Sequence, residues 1–225
     1  MRMTAFPPTP ALDLSLERVP LFPLPRAVLL PHTLLPLHVF EPRYRALIAD
    51  LIASDGVVGV PMLGPGWEDD YDGRPALVPV MGVGRVLRYK TRNDGRFDVL
   101  IGGMVRARIV DELDTATPYR VVRAEALPEP EGPDLPGLER PLREIRARLV
   151  RMAHQRPDAR VELLALSEDQ RCPKEMLDVL AGMALRTPSE RQAYLETDRI
   201  SRRAEIVLSL MIEHTSRASD AMPEA

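Results

Sequence analysis

The chain has 225 residues, enough for one sizeable hydrophobic core or two small ones. Its 30 basic and 33 acidic residues give a net charge of −3, so no overall charge attracts it to nucleic acid or an anionic membrane. Cys172 is the single cysteine, which excludes an intrachain disulfide and a multi-cysteine metal site. The first ten residues lack a basic stretch followed by an apolar one, so we expect no signal peptide and a cytoplasmic protein.

The first half of the chain predicts a β domain over residues 16–127. Residues 1–15 contain three prolines and little to bury, so we expect a flexible arm there. The apolar stretch at 19–44 contains six prolines, which exclude a long helix and a membrane span. It therefore predicts short buried strands and turns that end at the start of a helix.

That helix is predicted to begin at Pro42, where proline loses no hydrogen bond. Gly56 indicates its end. The apolar residues that then share one helical face are Tyr44, Leu47, Ile48, Leu51 and Ile52.

The corner before this helix predicts a specific arrangement. We expect Phe40 and Tyr44 to be buried. Glu41 and Arg43 are expected to form a polar lock, in which the Glu41 carboxylate accepts hydrogen bonds from amides of the first helical turn.

Turn-forming residues divide the rest of the β domain. Residues 64–75 predict a long loop, and Asn93-Asp94-Gly95 predicts a hairpin turn. Gly82 and Gly84 indicate a bulge or a close backbone approach, and Gly102-Gly103 permits a second reversal or a sharp kink. Strands are predicted at 77–90, 97–101, 105–109 and 119–127. So many short strands favour a barrel-like or sandwich sheet.

The second half changes to a helical pattern. Residues 128–137 are rich in proline and predict a linker, and residues 138–217 repeat apolar side chains at a helical period. Thr187-Pro188-Ser189-Glu190 has the sequence of a capping box. Residues 218–225 are expected to be a flexible tail. The predicted fold class is therefore α+β, a β-rich domain with one helix followed by a small C-terminal α-helical bundle.

Four motifs resemble the N-terminal, substrate-recruiting domain of Lon proteases over about residues 17–213. These motifs are Pro20-Leu21-Phe22-Pro23-Leu24, residues 35–44, residues 100–109 and residues 191–198. One departure is His32, where the family usually has glycine. The resemblance implies a PUA-like pseudo-barrel with a helical bundle behind it. It also implies a stand-alone protein that lacks the ATPase and protease modules of the full enzyme.

The residues themselves predict no catalytic, cofactor or metal site. No G-x-x-x-x-G-K-[ST] phosphate loop occurs, because the only lysines are Lys90 and Lys174 and neither lies in one. Both lysines are expected to be solvated, which argues against a Ser–Lys dyad. The four histidines are scattered, and no nucleophile–base pair is evident. We therefore expect a non-enzyme.

Two groups of residues are candidate binding surfaces. The first places large apolar side chains on the 64–75 loop and the strand before it; its members are Met62, Leu63, Trp67 and Tyr71. The competing interpretation is that Trp67 folds back to cover the sheet edge. The second is a basic sheet face; its members are Arg85, Arg88, Arg106 and Arg108. The competing interpretation there is solvated arginines paired with acids.

The sequence is therefore interpreted as a non-catalytic polypeptide-binding protein with a substrate-recognition or adaptor role in proteolysis or quality control. Its expected partners are unfolded or client polypeptides and a protease or ATPase, and neither a membrane nor nucleic acid is expected. The alternative is an RNA-binding PUA-like module that uses the basic face. The sequence leaves the clients and the oligomeric state open.

Overall fold

The computed structural model describes residues 15–128, 137–168 and 173–220. The chain divides into two compact units, residues 1–127 and 128–225. Four parts of the chain lie outside the described ranges: residues 1–14 of the predicted arm, residues 129–136 of the predicted linker, residues 169–172 with Cys172, and residues 221–225.

The first unit is a six-stranded sheet with one long helix. Its strands are β1 (Val19–Pro20), β2 (Leu34–Val39), β3 (Val57–Val60), β4 (Val80–Thr91), β5 (Phe97–Leu113) and β6 (Val121–Ala126). The antiparallel order is β1-β6-β5-β4-β3, and β2 pairs with the first half of β5. Parallel bridges from Leu21 to Gly59 and from Leu24 to Met62 join the two ends of this order. The sheet therefore closes into a barrel, as expected for the fold class.

The long β4–β5 hairpin turns at Asn93-Asp94-Gly95, as predicted, and Gly95 has a φ of +75°. β5 runs unbroken through Gly102-Gly103, so the second reversal, one of the two alternatives left open by the sequence, does not occur. The absence of a side chain at Gly103, and at Gly82 on β4, instead lets the backbone at Leu29 and Leu30 cross close to the sheet. A Cβ on Gly103 would lie 2.0 Å from the carbonyl oxygen of Leu30, and one on Gly82 would lie 1.9 Å from that of Leu29. The predicted close backbone approach at Gly82 is confirmed.

The helix after β2, α1 (Pro42–Ala53), has proline in its first turn and ends before Gly56, as predicted. Its buried side chains are Tyr44, Leu47, Ile48 and Leu51, which pack on Val58, Val99 and Ile101 of the sheet. The Tyr44 ring stacks on Phe22 with 4.4 Å between centroids. Tyr44 is therefore buried as expected.

Phe40 is 58% exposed, so its predicted burial is wrong. The reason is strand alternation: Val39 is only 1% exposed and points inward, so the next side chain points outward.

The second unit consists of five α-helices within its described residues. They are α2 (Glu139–Gln155), α3 (Arg160–Glu168), α4 (Pro173–Ala184), α5 (Pro188–Glu196) and α6 (Ile200–Asp220). The capping box at Thr187 and Glu190 is present, with both reciprocal hydrogen bonds. α6 continues to Asp220, three residues into the predicted flexible tail. Between α4, α5 and α6, the buried Asp178 accepts a hydrogen bond from Tyr194 (2.9 Å) and pairs with Arg203 at 3.5 Å.

Candidate functional site

The start of α1 is locked to the 64–75 loop. The Tyr71 hydroxyl donates to Glu41 Oε1 at 2.5 Å, and Arg43 Nε donates to Glu41 Oε2 at 3.1 Å. Arg43 Nη2 also donates to the Tyr71 carbonyl at 3.2 Å. The predicted Glu41–Arg43 lock is present, but Glu41 bonds to no helical amide through its side chain. Burial and the hydrogen bond to Glu41 raise the pKa of Tyr71.

This lock uses part of the apolar loop surface predicted from the sequence. Leu63 is only 6% exposed, so it supports the loop and cannot act as an exposed anchor. Met62, Trp67 and Tyr71 are half-buried. Trp67 packs edge-on against Tyr71 with 5.5 Å between ring centroids, and the Arg43 guanidinium lies 5.0 Å from the Tyr71 ring centroid. Trp67 and Tyr71 therefore pack on each other within the loop, and Leu63 is buried before it.

A more exposed apolar surface lies along the outward row of β2 and on the turn after it, where Leu34 is 50% and Phe40 is 58% exposed. On β4, Leu87 (44%) and Tyr89 (53%) are also exposed, but Tyr89 pairs with Val99 and so shares the sheet face of Leu37. Sequence reasoning missed this surface. The available signal was the outward row of a half-buried strand: residues 34, 36, 38 and 40 are exposed, whereas residues 35, 37 and 39 face the core.

An open groove of about 490 Å³ runs along this surface, which we call the sheet groove. Its floor is the start of β5, and β2 and β4 form its two walls. The lining residues are Pro36, Leu37, His38, Arg88, Tyr89, Lys90, Asp98, Val99 and Leu100. The register sets Leu100 between Pro36 and Arg88, and Asp98 between His38 and Lys90. Polar and apolar side chains are thus interleaved across the groove.

The single carboxylate among these lining residues is held by two neighbours. His38 Nδ1 lies 2.8 Å from Asp98 Oδ1, and Arg92 contacts Asp98 Oδ2 at 2.9 Å through Nε and 2.7 Å through Nη2. Hydrogen bonds from His38 and then Arg92 hold the pKa of Asp98 below its ordinary value. Arg88 and Lys90 are exposed, and neither has an ion-pair partner in the described part of the chain. The groove therefore carries an excess of positive charge.

The predicted basic face does not form. Arg106 is completely buried, opposite Gly82 in the β4–β5 register, and Arg85 is half-buried. Only Arg88 and Arg108 of the four are exposed. Four other arginines between residues 92 and 123 form ion pairs with acids. The pairs are Arg92–Asp98, Arg96–Asp94, Arg120–Glu112 and Arg123–Asp111. The exposed basic positions thus largely fit the competing interpretation of paired surface charges.

The residues that line the groove include no serine, threonine or cysteine, so the His38–Asp98 pair has no side chain of these three types beside it there. Within residues 15–128, 137–168 and 173–220, no group of three or more His, Cys, Asp or Glu side chains is placed to hold a metal ion. In the same ranges, no helix combines the length and apolar character needed to cross a membrane.

Relatives of this chain are Lon proteases. Residues 18–213 match the family model described as the ATP-dependent protease La (LON) substrate-binding domain. Lon protease 2 of Myxococcus xanthus is 28% identical over 196 residues, which cover 86% of this chain and 23% of that protein. Lon protease of Trichlorobacter lovleyi is 28% identical over 197 residues, which cover 87% of this chain and 24% of that protein. The chain thus spans about a quarter of the length of the curated relatives it matches.

Two solved structures share the fold. The N-terminal domain of Mycobacterium avium complex Lon protease has a TM-score of 0.69 at 17% identity, covering 88% of this chain and 99% of that chain. A Lon N-terminal domain protein from Xanthomonas campestris has a TM-score of 0.60 at 23% identity, covering 85% and 97%. At these identities the two likenesses concern the fold alone. The family match over residues 18–213 confirms the resemblance seen in the sequence, and the chain belongs to the LON substrate-binding domain family.

Proposed function

We propose that this chain binds unfolded polypeptide segments in the sheet groove, as a substrate-recognition or adaptor component of a proteolytic system. The observation that carries the proposal is the outward row of β2, which presents exposed apolar side chains next to an open groove. Leu34 and Phe40 are each at least half exposed, and Pro36 and His38, which lie between them in this row, line the groove. Clustered apolar surface of this kind typically marks a protein interaction site. Membership of a substrate-binding domain family supports the same role.

The segment would lie over the outer face of the sheet and not add to the free edge of β2. The Gly103 N–H donates to the Thr33 carbonyl, and hydrogen-bonded pairs alternate along an antiparallel ladder. The backbone groups of Leu34, Pro36 and His38 therefore face away from β5. Pro36 has no N–H, so the middle of this edge lacks a donor, which disfavours strand addition. Side-chain contacts in the groove would supply most of the binding energy.

The proposed role is non-catalytic. The groove offers apolar contacts and fixed charges, and no serine, threonine or cysteine is among its lining residues. Because the relatives that this chain matches are named as proteases, we propose that a bound segment is delivered to a protease or ATPase partner.

A peptide titration tests the proposal. The probe is a fluorescently labelled, unstructured ten-residue peptide in which leucine and phenylalanine alternate with glutamine. The double variant Leu34→Ala/Phe40→Ala should weaken binding about tenfold or more, because apolar anchors dominate small interfaces. Both side chains are at least half exposed, so the free energy of unfolding should fall by no more than about 1 kcal/mol.

Two further variants serve as controls for this titration. Val110→Ala removes an exposed apolar group from the half of β5 that does not pair with β2, and it should leave affinity unchanged. Trp67→Ala tests the loop surface and should also change affinity little. Equal weakening by Val110→Ala, or no binding of the apolar peptide to the wild-type chain, would contradict the proposal.

A further inference from the structure

The two cations of the β4 wall are spaced for an extended ligand. Arg88 and Lys90 are two residues apart on one strand, opposite Leu100 and Asp98 respectively. Side chains two residues apart on a strand lie on the same face, about 6.6 Å from each other. Neither cation has an ion-pair partner within the described residues. An extended peptide that follows the groove repeats its own side chains at the same spacing.

The carboxylate on the floor does not cancel this charge. Asp98 directs Oδ1 to His38 and Oδ2 to Arg92, so its charge is already shared between two neighbours. An incoming carboxylate beside Arg88 and Lys90 would therefore meet net attraction. The apolar floor and wall at Leu100 and Pro36 leave room for apolar residues between the charged ones.

Building on the proposed function, we infer that the sheet groove selects extended polypeptide segments that carry carboxylates two residues apart among apolar residues. The substrate class is thus acidic-apolar and not purely apolar. Arg88 and Lys90 are the residues that set this preference, because they are the cations of the groove without an acidic partner in the described part of the chain. The i, i+2 spacing follows from the strand period that the ligand and β4 share.

An RNA ligand fits the same surface less well. Binding of an RNA backbone needs a series of available cations, and the affinity depends on how many phosphates those cations neutralise. On this sheet Arg92, Arg96, Arg120 and Arg123 are already paired with acids, and Arg106 is buried. Two cations beside an apolar floor match two carboxylates better than a nucleic-acid backbone.

Three peptides of matched length, measured with the full chain, test the inference. One is the glutamine-containing probe, one has glutamates at positions i and i+2, and one has them at i and i+3. The i, i+2 peptide should bind roughly threefold to tenfold more tightly than the glutamine probe, and the i, i+3 peptide should gain less. The difference should largely disappear between about 0.05 M and about 0.5 M salt, because exposed charges are screened.

Two variants with equal charge change assign the effect to residues. Arg88→Gln/Lys90→Gln should abolish the preference for the i, i+2 peptide and leave affinity for the glutamine probe unchanged. Arg18→Gln/Arg26→Gln removes two exposed cations that do not line the groove, and it should keep the preference.

The outcomes separate this inference from the proposed function. Equal binding of the three peptides by the wild-type chain overturns the inference but leaves polypeptide binding intact. Binding of none of them overturns both. An unstructured RNA oligomer that displaces the i, i+2 peptide at moderate salt also overturns the inference, because phosphate would then be the preferred anion.

Discussion

Replacing Gly103 with alanine should destabilise the first unit strongly, because the chain at Leu30 and Pro31 crosses β5 at this glycine. An ideal Cβ on Gly103 would lie 2.0 Å from the Leu30 carbonyl oxygen and 3.2 Å from the Pro31 Cα. Both are backbone atoms, so no side-chain rotation can relieve the overlap. The crossing segment would have to move away from the sheet.

The size of the effect follows from what that movement breaks. Overpacking a well-packed core costs about 1–3 kcal/mol. The His32 N–H donates to the Gly103 carbonyl at 3.0 Å, and the Gly103 N–H donates to the Thr33 carbonyl at 2.9 Å. Losing both adds about 1–3 kcal/mol, and replacing a strand glycine by alanine returns about 0.5–1 kcal/mol. We expect a net loss of about 2–4 kcal/mol.

Urea denaturation followed by far-ultraviolet circular dichroism measures this loss, and Trp67 fluorescence reports on the first unit. The matched control is Gly66→Ala, where φ is +80° but no atom lies within 4 Å of the added Cβ. That variant should lose about 1 kcal/mol from backbone strain alone. If Gly103→Ala is no less stable than Gly66→Ala, the tight crossing of residues 29–31 over β5 is wrong.

Two further predictions concern buried polar groups, one in each unit. Burial raises the pKa of Tyr44 to about 12, so this phenol stays neutral between pH 10 and 12 in the folded chain while it ionises in the unfolded chain. The stabilisation that the neutral Tyr44 phenol gives the folded chain is fully present below pH 10 and falls as the pH rises toward 12. The urea midpoint should therefore fall over this range, and it should fall less steeply in Tyr44→Phe. An unchanged slope in that variant would contradict a raised pKa for Tyr44. In the second unit, Asp178→Asn should cost about 1.5–3 kcal/mol, because it removes the buried negative charge that accepts a hydrogen bond from Tyr194 and pairs with Arg203. Thermal and urea unfolding would measure this cost, and a loss below about 1 kcal/mol would show that the buried pair is not important for stability.

Local sequence rules predicted the elements because each depends on neighbouring residues. Pro42 marks the start of α1 because the missing N–H and fixed φ act within one turn. The Thr187–Glu190 capping box and the Asn93-Asp94-Gly95 turn are likewise complete within four residues. The long motifs of the Lon family extended this local reading to the whole fold, which the family match over residues 18–213 confirms.

The candidate site shows where local rules stop. Alternation along β2 tells which residues share a face, but not which face a distant strand and α1 will cover. Which of Val39 and Phe40 is buried therefore depends on the positions of β5 and α1 in the folded chain. Strand alternation puts Arg106 on the same face as the exposed Arg108, yet Arg106 is completely buried opposite Gly82, where the chain at Leu29 crosses the sheet.

By itself, the sequence determined the fold class and the positions of most helices and turns, because these follow from periodicity, proline and glycine over short distances. The family followed from the resemblance of its longer motifs to the Lon N-terminal domain. Only the tertiary structure decided the surface. It buried Leu63, locked Tyr71 to Glu41, and left Phe40 and Tyr89 exposed. The physical reason is that exposure depends on the neighbours that pack against a side chain. In a closed sheet, those neighbours come from strands tens of residues apart along the chain.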